Sequence, residues 1–137
     1  MTTLARLIAF LLALAVVGCS FLPWVGSTNA WDLALRSVVS PSHATGSAAV
    51  TSIGFGLAIA AALLLLGALL NSRTLVILGG LVTVGLPATW ILSNAISGTN
   101  GVPLSRIQVG AYGEVVLGFV ALTLAAVASD TRVPTTR

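Results

Sequence analysis

Charge is what this chain has least of. Only 7% of its 137 residues are charged, against about a quarter in soluble domains. Lysine is absent: all six basic residues are arginine, and three acids oppose them. A water-soluble fold of this length would have too little charge to cover its surface. The six arginines are spread along the chain, so the net charge of +3 makes no patch. Nucleic-acid sites need clustered Lys and Arg, and that partner is excluded. A single cysteine, Cys19, rules out an internal disulfide and a multi-thiolate metal site. A single histidine, His43, sits in a Ser/Pro-rich stretch without a second nitrogen or sulfur ligand nearby. It reads as a loop histidine rather than a metal ligand or a pH sensor. The residues imply no cofactor and no metal.

What is present is apolar sequence. The mean hydropathy is +1.09. Residues 7–31, 44–72, 74–105 and 115–129 contain no Asp, Glu, Lys or Arg. About 20 apolar residues cross the hydrocarbon core of a bilayer as a helix. The pattern predicts an all-α polytopic membrane protein. Four transmembrane helices, at about 4–22, 47–70, 75–95 and 109–128, form one membrane domain over 1–137. The outer loop is 23–46 and the tail is 129–137. No second domain fits in the remaining length, and no internal repeat relates the halves.

The first span ends at Pro23 and Trp24. Proline cannot continue the hydrogen-bond ladder, and tryptophan favours the headgroup level. The stretch Val16-Val17-Gly18-Cys19 also resembles a bacterial lipoprotein signal, in which the cysteine is lipidated and the preceding residues are removed. The apolar run continues through Phe21 and Leu22, which favours an uncleaved span. In the following loop, residues 29–36 suit a short interfacial helix. Asn29 or Thr28 would cap it, and Asp32 and Arg36 would form a weak i,i+4 pair. Trp31 would face the headgroups.

The second span carries Ser52, Gly56 and Ala60 at four-residue intervals, a helix-packing stripe of the kind that lets backbones approach closely in lipid. Asn71-Ser72-Arg73-Thr74 reads as a tight turn to an antiparallel third span. Within that span Pro87 offers no N–H to the Thr83 carbonyl. Residues 97–108 read as a turn-rich loop. With both termini inside, Arg6, Arg73, Arg132 and Arg137 face the cytoplasm and Arg36 and Arg106 face out, an arrangement favoured by the positive-inside rule.

Glu114 is the only acid within a span and the candidate functional residue. It lies about five residues, or 7–8 Å, into the fourth helix. Gly110 and Gly118 flank it at i−4 and i+4 on one face, which should pack against another helix. Two readings stand. One is a proton- or cation-linked site, or a contact with a partner's basic residue. The other is a carboxyl near the span's end, reached by water or bound to Arg106, Arg36 or a loop backbone group. The position near the end favours the second. Trp24, Trp31, Trp90 and Tyr112 read as interfacial anchors of an aromatic belt. Gly54-Phe55-Gly56 and Gly79-Gly80 lack the context of a nucleotide loop. No Ser/His/Asp set has catalytic geometry.

Leu22-Pro23-Trp24, Trp31-Asp32-Leu33 and the opening Gly110-Ala111-Tyr112-Gly113 of the last span resemble a set of small four-span actinobacterial integral membrane proteins of unknown function. The arginine-only basic set and the richness in Ala, Val, Leu and Gly fit a GC-rich bacterial genome. The resemblance implies architecture and no activity. The expected function is therefore a non-enzymatic accessory, scaffolding or assembly subunit in the bacterial plasma membrane, whose partners are the lipid bilayer and another membrane protein or a second copy. The alternative is a small oligomeric transporter or pore with Glu114 as coupling or gating carboxyl.

Overall fold

The computed structural model describes residues 2–24, 30–32, 52–96 and 107–130. Four helices make an all-α bundle: α1 (Thr3–Ser20), α2 (Ile53–Leu69), α3 (Arg73–Ile96) and α4 (Val109–Asp130). Between α1 and α2 lies one 3-10 turn, Ala30–Asp32. The interfacial helix expected over 29–36 is thus described only at this turn. Its Arg36, together with His43, Arg106, loop residues 97–106 and tail residues 131–137, lies outside the described residues.

Three of the helices, α1, α3 and α4, are long and apolar enough to cross a membrane; α2 is apolar but has 17 residues. The distribution of side-chain size agrees with a lipid solvent. Large apolar residues point outward, among them Leu7, Leu11, Leu14, Leu69, Leu92, Val116 and Phe119. Small residues fill much of the inside: Ala9, Ala13, Ala60, Ala61, Ala121 and Ala125. In water, an exposed apolar surface of this extent would drive aggregation. In lipid it costs nothing, and small residues at the interfaces let helices pack closely.

Each helix packs on the next in sequence, and α1 also packs on α4. Glycines set the closest approaches. A methyl at Gly79 would come within 3.0 Å of the Ala60 carbonyl on α2. A methyl at Gly118 would come within 2.7 Å of Val84 N and 3.1 Å of the Gly80 carbonyl on α3. On α2 the close approaches fall at Gly54 and Gly67, whereas Gly56 is half-buried. Ser52 serves α2 as its N-cap, accepting from Phe55 N at 3.1 Å, which starts that helix at Ile53 rather than at 47. Helix α3 continues through Pro87 to Ile96.

The C-terminal end of α2 has every terminal carbonyl answered. An α-helix leaves its last four carbonyls without intrahelical donors. Here Leu70 N donates to Leu66 O and Ser72 N to Gly67 O. Arg6 supplies the other two, with Nε to Ala68 O at 2.8 Å and Nη2 to Leu69 O at 3.2 Å. The cation also complements the negative end of the helix dipole. Arg73 makes a parallel tie, Nε to Ala125 O at 2.9 Å, between α3 and α4.

Reversal into α3 requires Asn71 at φ 54°, the left-handed region. The bond from Ser72 N to Gly67 O completes a Schellman motif around it. Asn71→Gly should therefore keep or raise the unfolding midpoint in mild detergent. Asn71→Val should lower stability by about 1–2 kcal/mol, since a β-branched residue pays the full left-handed penalty.

Candidate functional site

Glu114 lies on the buried face of α4, between Gly110 and Gly118. The register of that face follows from the glycine contacts. Gly80 of α3 meets Ala121 and Leu122, and Gly118 meets Val84. Residue numbers rise on one helix as they fall on the other, so the pair is antiparallel and Glu114 lies level with residues 87–88. On α1, Cys19 Sγ lies 3.4 Å from where a Gly113 methyl would be, which sets Glu114 level with the end of α1.

The carboxyl is fully buried, at 0% exposure. Neither oxygen has a hydrogen-bond partner among the described residues. Helical side chains lean toward their helix N-terminus, so this one leans toward Gly110. That end is closed by aromatics. Trp24 lies against Gly110: a methyl there would come within 2.5 Å of Trp24 Cδ1 and 2.8 Å of the Pro23 carbonyl. Two backbone bonds hold the segment in place, Gln108 N to Trp24 O at 2.8 Å and Gly110 N to Pro23 O at 3.1 Å. Trp90 packs on Trp24, with ring centroids 5.5 Å apart and planes tilted by 55°. Ser93 Oγ and Asn94 Nδ2 both donate to the Trp90 carbonyl, at 3.1 and 2.8 Å.

The geometry bears on three expectations. Glu114 is buried rather than reached by water, while Arg36 and Arg106, its other expected partners, lie outside the described residues. Trp24 and Trp90 are not belt residues: they are 0% and 2% exposed and pack inside the bundle. Trp31 is half-buried against the ends of α1 and α2. Its Nε1 donates to Ser20 Oγ at 3.0 Å, its ring stacks on Phe21 at 5.7 Å, and it covers Gly54, where a methyl would sit 2.5 Å from Cδ2. Tyr112 does point outward, 42% exposed. The glycines flanking the acid were a usable clue to the tryptophans, because a glycine gap on a buried face needs a large side chain to fill it.

Cys19 is half-buried on the last turn of α1. Cleavage before it would remove Ala5, Ala9, Leu12, Ala13 and Val16 from the core. Among the described residues, no group of three His, Cys, Asp or Glu side chains could hold a metal ion. The chain matches no family model, and no curated protein or solved structure is detectably similar to it.

Proposed function

We propose that this is a non-enzymatic plasma-membrane protein that crosses the bilayer four times, with both termini cytoplasmic, and serves as an accessory or assembly subunit of a membrane complex. Shared with the small four-span actinobacterial proteins it resembles, this architecture offers helix faces rather than reacting groups. Helix α2, at 17 residues, falls at the short end of the spanning range.

The observation that carries the reading is an open side of the bundle. Arg6 ties α1 to α2, glycine contacts and Arg73 tie α3 to α4, and α1 packs beside α4. Between them runs an apolar groove of about 500 Å³ lined by Ile8, Val116, Phe119, Thr123, Leu124 and Val127. A helix of a partner membrane protein fits such a groove by van der Waals packing. Thr123→Trp would fill it. The wild type should co-purify with a partner from native membranes in mild detergent, and the variant should lose that partner while keeping its helix content. A wild type that stays partnerless refutes the reading.

A second reading, an oligomeric transporter or pore coupled through Glu114, is supported by the buried carboxyl, which has no hydrogen-bond partner among the described residues. Ionisable groups inside membrane bundles mark ion and proton routes by default. Ion flux in liposomes carrying wild type but not Glu114→Gln would support it; absence of wild-type flux would remove it.

A further inference from the structure

We propose that Glu114 is a proton-exchange site, loaded and emptied from the outer-loop end of the bundle past the Trp24–Trp90 pair. The proposal gives the second reading above a ligand, yet it concerns binding and stands or falls apart from transport.

An ionised carboxylate without a counter-charge or donor is expensive in a dry interior. Glu114 has neither among the described residues. It therefore needs a small cation. A metal ion takes several ligands at once, and among the described residues no group of three His, Cys, Asp or Glu side chains could hold one. A proton needs one lone pair. Addition of a proton to one carboxylate oxygen gives the neutral acid, and the reverse step returns it to water; no electrons move and no co-reactant is required.

Among the described residues, the groups level with the carboxyl are few. Helix α1 contributes the Cys19 thiol, which lies against Gly113. At this level α3 offers Pro87 and Trp90, and the corresponding part of α2 carries the buried apolar Ile53 and Leu57; none of these titrates. Arg6 and Arg73 bind carbonyls at the opposite end. Direction follows from the lean of the side chain toward Gly110. One turn in that direction Trp24 and the Pro23 carbonyl cover Gly110, and Trp90 packs on Trp24. The short way to water is through that aromatic lid.

Glu114 is the only glutamate in the chain, so carboxyl-[13C]glutamate labels this one group. Cell-free synthesis of the full chain into phosphatidylcholine vesicles, followed by infrared difference spectroscopy across pH, reads it directly. The labelled band should pass between the carboxylic C=O stretch and the carboxylate stretches, and do so reversibly. Trp24→Phe, which keeps an aromatic filler but thins the lid, should speed hydrogen–deuterium exchange at the group several-fold. A labelled band that never changes over the pH range in which the helices persist overturns the proposal. So does a band that responds to Na+ at constant pH, which would make this a metal-cation site. Unchanged exchange in Trp24→Phe overturns the route past the lid. Reversible exchange without liposome flux leaves the site standing and removes transport. Flux without any change in the labelled band does the reverse.

Discussion

Gly118→Leu should force α3 and α4 apart and abolish a cooperative unfolding transition in mild detergent. The bulk has nowhere to go. Even a methyl at this position would sit 2.7 Å from Val84 N and 3.1 Å from Gly80 O, and those are backbone atoms that no rotamer change can move. Ordinary core overpacking costs about 1–3 kcal/mol; a clash with two backbone positions of the neighbouring helix should reach or exceed the top of that range. Gly118→Ala should show the same effect in reduced form. Gly18 supplies the control, because a methyl there meets nothing within 4 Å. Gly18→Ala should leave the midpoint unchanged or raise it by up to about 1 kcal/mol, the helix-propensity gain alone. Tryptophan fluorescence during unfolding reads all three, since the Trp24–Trp90 contact reports whether the outer end of the bundle stays closed. Equal losses for Gly18→Ala and Gly118→Ala would mean that close α3–α4 packing is not what holds the bundle.

That contrast marks what composition and periodicity can reveal. The four helices were readable because the solvent dictates them: a charge-free run in lipid must satisfy its own backbone bonds as helix. The turn at Asn71-Ser72 was readable from its polar residues between two such runs. Placing Glu114 on a packed face was readable too, from glycines four residues to either side. Its depth was not. Distance from a helix end measures distance from water only when nothing covers that end, and here the Pro23–Trp24 segment, remote in sequence, lies across Gly110. The same long-range contact hid the fate of the tryptophans. An indole after a proline at a span's end fits an interfacial belt in any single-helix view. Only the gap left by Gly110 on another helix turns Trp24 inward, and Trp90 follows it. The contacts of Trp31 are long-range in the same way, since Gly54 offers it a flat backbone surface and Ser20 an acceptor. The start of α2 at Ile53 was set by a single cap, Ser52, inside an apolar run that gave no break.

Glu114→Met should make the protein more stable, by about 1–3 kcal/mol, the usual penalty of a buried polar group without a partner. Methionine keeps the unbranched length of glutamate and packs into irregular space, so the exchange removes two unpaired oxygens without opening a cavity. Glu114→Gln should gain less, because its amide still lacks partners among the described residues. The ordering Met above Gln, with wild type at or below Gln, separates this account from its rival. If Glu114 served the fold by binding an arginine or a loop amide, Met would instead be strongly destabilising, since loss of one partner of a buried charged pair costs about 3–5 kcal/mol. Urea or SDS titration of the three proteins in the same detergent decides between them. A stabilising Glu114→Met has a further consequence. The carboxyl would then weaken the bundle that contains it, and a fold does not need such a group for its own sake. Strain of this kind concentrates where a protein acts. The variant that gains stability should therefore be the one that loses proton exchange at the buried site, so one substitution would separate what holds this bundle together from what it is for.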